Sequence, residues 1–270
     1  MTPAPINFLF DEVITGGAVL SAFELCQAIR EYRECNIVAH FDNKELEEYF
    51  NIKRIGLSAR PKGIDITFTP KIKGDFSYIR TDDKRWLKRT DPVIAVSEYI
   101  KSKFGGVVIG NGTHERFSDI GLERDIDILI EGNYEPNKNI EATIKEARKL
   151  YTLDRRDTRK ESESGEFLRD NEEGCGNKTE PKIVWFGRHT TDLGIEHYSN
   201  PSLKDIVILY NRSKKFLKMS KCEGWGRPVA EAKRCGCEII NLSGGNKDIE
   251  IVSWDSVAKQ LLKYLDGRVE

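Results

Sequence analysis

No apolar run in this chain is long enough to cross a bilayer; the longest are strand-sized, far below the roughly 20 residues a membrane helix needs. There is no charge imbalance either. Lys and Arg number 43 against 44 Asp and Glu, a net charge of −1, so no global field argues for nucleic acid as a partner. No cleavable leader is visible, because Asp11 and Glu12 follow the first short apolar run, and a cytoplasmic location is the expectation. The six cysteines make no zinc pattern. Cys235 and Cys237 are one residue apart, and no second pair or histidine cluster lies nearby, so reduced, buried thiols are expected.

What is present is a 270-residue chain, 39% hydrophobic and 32% charged, enough for two domains of ordinary size with real cores. Ile6-Asn-Phe-Leu-Phe10 reads as a buried strand, followed by Gly16 and Gly17 and a helix with apolar Ala18, Ala22, Leu25, Cys26 and Ile29. Strands are then expected at 36–39, 64–69, 76–80, 93–97 and 107–110, with a helix at 98–104. A second series starts near Asp125: a strand at 126–130, a helix at 139–150, a strand at 182–186, a helix at 203–210 and a final helix at 254–265. Such alternation predicts α/β architecture with parallel sheets covered by helices. The expected domains are residues 1–118 and 119–270. From Asp154 to Glu173, 13 of 20 residues are charged, which predicts a solvated, flexible insertion over about 154–180.

The most informative stretch is Glu223-Gly-Trp-Gly-Arg-Pro-Val-Ala-Glu231, between the apolar run Phe216-Leu-Lys-Met-Ser220 and the strand-like Glu238-Ile-Ile-Asn241. It reads as strand, glycine-rich loop, helix, strand. Gly224 and Gly226 let backbone approach a ligand closely, and Pro228 suits a first helical turn, where its missing N–H costs nothing. Free N–H groups at a helix start attract anions and sugar hydroxyls, and a carboxylate at either end adds acceptors. A bare pair of glutamates at this spacing carries little; a loop acid and a macrodipole-favoured helix acid are the bland alternative. Glycines, proline and flanking strands in register carry the signal.

This segment resembles the donor-binding motif of glycosyltransferase family 4, retaining enzymes of the GT-B fold, in which Glu-Gly-Phe-Gly-x-Pro-x-x-Glu-Ala is usual. Trp225 stands where that family has Phe. Gly16-Gly17 is similar to the family's glycine loop, Val93-Ile-Ala-Val-Ser97 with Ile109-Gly-Asn-Gly112 to the end of its first domain, and Ile128-Leu-Ile-Glu-Gly132 through Lys138-Asn139 to its first C-domain strand. The resemblance implies two Rossmann-like domains facing each other across a cleft. It implies a metal-independent, retaining hexosyltransferase moving sugar from a nucleoside-diphosphate sugar to an acceptor (glycan, lipid or protein), with no cofactor. In that frame Glu223 contacts the donor sugar, Lys138 neutralises the leaving diphosphate, and Glu231 holds the ribose hydroxyls. Gly16 and Gly17 lie against phosphate, and Gly224, Trp225 and Gly226 hold the sugar by backbone. Asn133 occupies the place of a family arginine, so Arg188 and Arg227 are the substitute cations. His114 replaces a common Asp, and the strand resembling the family's histidine strand, Ile64-Asp-Ile-Thr-Phe-Thr-Pro70, ends without one. His40 lies at a strand end, where ligands of open sheets gather, with a satisfied structural histidine as the plainer reading. A nucleotide-sugar epimerase and a non-catalytic nucleotide-sugar binder are the alternatives.

Two further segments were weighed. Lys84-Arg-Trp-Leu-Lys-Arg89 reads either as a weak peripheral contact for anionic lipid or as a solvated helix face with one buried aromatic. Asp125-Ile-Asp127 copies a metal-binding spacing but opens a buried strand, so no metal is expected there.

Overall fold

A computed structural model describes residues 3–11, 17–40, 44–80, 84–132, 138–162, 180–187, 194–221, 225–244 and 249–267. The chain forms two compact bodies. The first contains residues 1–116, 222–231 and 245–270; the second contains 117–221 and 232–244.

The first body starts with β1 (Ile6–Phe10), α1 (Gly17–Arg30), β2 (Cys35–Ala39), α2 (Lys44–Phe50), β3 (Arg54–Ile55), β4 (Ile64–Thr67), β5 (Phe76–Ile79), β6 (Val93–Ala95), α3 (Glu98–Phe104) and β7 (Val107–Val108). Its sheet runs β3-β2-β1-β4-β5-β6-β7, with every pair parallel. All five residues of β1 are buried, as expected of a parallel strand covered on both faces. Ser97 caps α3 by accepting from the Ile100 N–H, so the strand–Ser–helix pattern marks a helix N-terminus. Trp86 is buried and Leu87 exposed within a 3-10 turn over Lys84–Lys88.

The second body holds β8 (Ile126–Glu131), α4 (Ile140–Ser162), β9 (Ile183–Gly187), β10 (Glu196–Ser199), α5 (Leu203–Asn211), β11 (Ser213–Lys218), most of the turn after α6 (Arg227–Arg234), and β12 (Glu238–Asn241). Its sheet runs β10-β9-β8-β11-β12, again all parallel. Asp125 accepts from Arg212 Nε (2.7 Å) and Lys182 Nζ (2.6 Å), and Asp127 from Lys214 Nζ (2.7 Å). The Asp-x-Asp pair therefore ties strand ends together by ion pairs. Hydrogen bonds from Arg212 and Lys182 hold the Asp125 carboxyl well below the ordinary carboxylate range.

Three sequence expectations need correction. The helix expected at 139–150 runs on to Ser162; its continuation includes three Arg with a Lys and a Glu, which are good helix formers. Residues 163–179 of the expected insertion lie outside the described residues. The elements α2, β3 and β10 were not anticipated: each has seven residues or fewer, too short to show a period. The division also differs from 1–118 and 119–270, because residues 222–231 and 245–270 return to the first body. The reason is α7 (Trp254–Asp266), whose Trp254, Val257, Ala258, Leu261 and Leu265 form one apolar face. That face is buried with Phe23 and Cys26 of α1 in the core of the first body.

Because Leu261 is wholly buried there, Leu261→Ala should cost about 2–5 kcal/mol in denaturant unfolding. A loss below about 0.5 kcal/mol would mean that α7 contributes nothing to that core.

Candidate functional site

In open parallel sheets, ligands gather outside the carboxyl ends of strands where the strand order reverses. In the second body that reversal falls between β8 and β11. Gly132, which ends the β8 segment, is locked against β9: Trp185 Nε1 donates to the Gly132 carbonyl (2.8 Å). A Cβ on Gly187 would meet that carbonyl oxygen at 2.1 Å, so only glycine fits. At the end of β11, Lys218 is 1% exposed and its ammonium is ion-paired with Glu131 at the end of β8. Ser220 N–H donates to Ser243 Oγ (3.0 Å). Lys138 sits half-buried in the turn before α4. The loops carrying Lys138 and Glu223 thus leave neighbouring strands at the reversal.

Several expected site residues, namely Gly16, Arg188, Glu223 and Gly224, lie outside the described residues, as does Asn133. Gly17 opens α1. Trp225 is half-buried against the core of the first body. Gly226 is tight, since a Cβ there would meet Ile249 Cδ1 at 2.9 Å. His40 is exposed after β2.

Arg227 and Glu231 are brought together, one helical turn apart in α6, within the first body. Both are buried, at 9% and 6% exposed, and the Arg227 Nε–H donates to Glu231 Oε1. Arg227 Nη2 donates to Glu24 Oε1 (3.0 Å) and Nη1 to Ser21 Oγ (3.2 Å). Arg80 Nη2 also donates to Ser21 Oγ (2.9 Å). Arg116 Nη2 lies 3.6 Å from Glu24 Oε1, and its guanidinium covers the rings of Tyr49 and Phe50. Trp254 Nε1 donates to Glu24 Oε2 (2.9 Å). Three arginines and two glutamates are therefore gathered around the start of the two-glutamate helix. Arg227, one of the two substitute cations expected from sequence, has its guanidinium committed to Glu24, Ser21 and Glu231.

The electrostatics follow from that packing. Burial opposes the Arg227 cation, but Glu24 and Glu231 outweigh it and hold the guanidinium above its ordinary range. Burial pulls Arg80 down to about 10, with Arg227 nearby adding to the effect. Burial also lowers Arg116. All three remain charged at neutral pH. His114, whose Nδ1 accepts from the Arg116 N–H (3.1 Å), is held below the ordinary histidine range by burial and then by Arg116.

The sequence reading missed Glu24, yet a signal was present. Glu24 is the one acid in the fourteen residues of α1, flanked by Phe23 and Leu25 in the middle of the helix. At Gly112, a Cβ would meet the Trp254 ring at 2.5 Å, so the Asn-Gly segment is tight against the Glu24 partner. Among the described residues, no group of three or more His, Cys, Asp or Glu could hold a metal ion, and no helix is long and apolar enough to cross a membrane.

Two outcomes are expected. Arg227→Met, which strips two buried carboxylates of their cation, should cost about 3–5 kcal/mol in unfolding free energy; a loss under about 1 kcal/mol would show that the cluster is well solvated. His114 is depressed in the fold, so the unfolded chain takes up its proton first as pH falls. Its contribution is therefore flat above about 6.5, and stability is lost as pH drops from there through the folded value. Melting temperatures across that window should fall less steeply in His114→Asn than in the parent chain. His197, lowered by burial, supplies a remaining slope.

No protein-family model and no curated protein matches this chain by sequence. Its fold does match solved structures. Anabaena HepE in complex with UDP-glucose aligns over 98% of this chain and 90% of its own, with a TM-score of 0.64 at 13% identity. WaaG, a glycosyltransferase involved in lipopolysaccharide biosynthesis, aligns over 97% and 90%, with a TM-score of 0.62 at 10% identity. Sucrose-phosphate synthase from Thermosynechococcus elongatus aligns over 98% and 90%, with a TM-score of 0.60 at 11% identity. At such identities the likeness establishes architecture: the chain has the GT-B fold, built from two Rossmann-like bodies with parallel sheets.

Proposed function

We propose that this chain is a retaining, metal-independent glycosyltransferase of the family 4 kind, which transfers a sugar from a nucleoside-diphosphate sugar. The observation that carries the reading is positional. The glycine-rich two-glutamate segment follows β11 at the strand-order reversal of the second sheet, in a fold seen with UDP-glucose bound in Anabaena HepE.

In this reading the chemistry needs few groups. Glu223 accepts from a donor-sugar hydroxyl, and the backbone of Gly224, Trp225 and Gly226 holds the others. Lys138, with Arg188 as a second cation, offsets negative charge that grows on the diphosphate as the glycosidic bond breaks; preorganised charge of this kind is often the largest catalytic contribution. Gly16 and Gly17, ahead of α1, allow phosphate to approach backbone. The acceptor attacks from the face the diphosphate leaves, since no side chain of the motif serves as a covalent nucleophile. Glu231 takes a ribose hydroxyl, and Arg227, which donates to that carboxylate, orients it. The acceptor is a glycan, a lipid or a protein, and a cytoplasmic location suits a nucleotide-sugar donor.

One observation favours a second reading. Glu231 is buried against Arg227, and Asn133 replaces the family's phosphate-facing arginine, which suits a nucleotide-sugar binder without turnover. Slow hydrolysis of donor by the parent chain separates the two, since a mere binder gives none.

Thermal-shift panels of nucleoside diphosphates and their sugar conjugates test the shared core of both readings. A ligand at about a hundred times its Kd should stabilise by about 2.7 kcal/mol. Glu223→Ala should keep the parent melting temperature and lose at least about tenfold in turnover, as expected for a lost charge-assisted hydrogen bond, with turnover of the parent chain unchanged by chelator. Absence of any shift across the panel would end the proposal.

A further inference from the structure

Glu24 lies outside every motif discussed so far, on a helix that is otherwise built for packing. Its side chain is 1% exposed, and both carboxylate oxygens are occupied. Oε1 accepts from Arg227 and faces Arg116, and Oε2 accepts from Trp254 Nε1. Ser21, one turn earlier on the same helix, takes Arg227 and Arg80. The three partners of Glu24 come from three separate stretches of chain. Arg116 is the last residue of the first body before the chain passes into the second, Arg227 belongs to the returning stretch 222–231, and Trp254 opens the helix of the final return.

We propose that Glu24 is the positioning residue of the two-glutamate loop: through Arg227 it sets where Glu231 and the first turn of α6 stand. A guanidinium is a planar fork of fixed donors. Here its Nε is assigned to Glu231, Nη1 to Ser21 and Nη2 to Glu24, so acceptors from two helices fix the orientation of its plane. Glu24 also supplies the negative charge that lets three arginines share one buried neighbourhood. Removing that charge takes away the acid that Arg116 and Arg227 share. Arg227 then keeps only the neutral Ser21 hydroxyl as its partner on α1, and the helix start that it holds loosens with it. The geometric part of this inference stands on its own, while its consequence for ligand affinity rests on the donor-binding reading.

Glu24→Gln is the test, because the amide oxygen can still accept from Trp254 while the charge is lost. Segment-resolved amide hydrogen exchange should accelerate by about tenfold over residues 227–234 and stay unchanged in β1, β2, β8 and β11, as expected of a local opening. Calorimetric titration with uridine diphosphate should show Kd raised by about tenfold or more, with kcat changed less than KM, as for lost uniform binding. Exchange over 227–234 at the parent rate overturns the inference. If Glu24→Gln fails to fold, Trp254→Phe removes only the Oε2 donor; exchange over 227–234 should then rise by about threefold, and an unchanged rate is again decisive against it. If the parent chain binds no uridine diphosphate, the exchange result still decides the positioning role, and the failure falls on the donor reading for that nucleotide.

Discussion

The buried Arg227 guanidinium, held between Glu24 of α1 and Glu231 of α6, is the interaction around which the charged cluster of the first body is built. Taking charged groups out of water costs several kcal/mol per ion, and attraction offsets this only when every donor and acceptor is well placed. The cluster meets that condition by sharing. Glu24 serves Arg227, Arg116 and Trp254 at once, and Ser21 serves Arg227 and Arg80. Tight glycines support the arrangement from outside: Gly112 lets the Asn-Gly segment lie against Trp254, and Gly226 lets the loop lie against Ile249.

Sheet topology does the complementary work in the second body. All-parallel pairing puts the carboxyl ends of β8 and β11 side by side, so the loops carrying Lys138 and Glu223 begin at adjacent points although they are far apart in sequence. The Lys218–Glu131 ion pair and the Trp185–Gly132 hydrogen bond fix those strand ends. A loop that must present backbone to a ligand gains from such a rigid origin, because the geometry of the donor groups is then settled before binding.

Much of the fold was legible because parallel strands buried on both faces are short apolar runs, such as Ile6–Phe10, and longer helices such as α1 show their period in apolar positions like Ala22, Leu25, Cys26 and Ile29. Failures had physical causes. The charge-rich continuation of α4 has little to bury, which made it read as loop, yet its residue types favour helix. A final helix was expected at 254–265, but a helix read from sequence does not say which core it joins. At the site, a helix carrying Pro228 was expected after the glycine-rich segment and is present as α6, whereas the commitment of Arg227 to Glu24 was invisible, since it joins residues 203 positions apart. The one acid of α1, set between Phe23 and Leu25, was the available clue. An acid flanked by apolar residues in mid-helix should prompt a search for its partner.

The most direct measurement is a double-mutant cycle on Glu24 and Arg227, comparing Glu24→Gln, Arg227→Gln and the pair by unfolding free energy. If the guanidinium is held by Glu24 as described, the two losses should fail to add by about 1.5 kcal/mol or more, within the range for directly coupled groups. Additivity to within about 0.3 kcal/mol would contradict the account, since it would mean that the two side chains act independently.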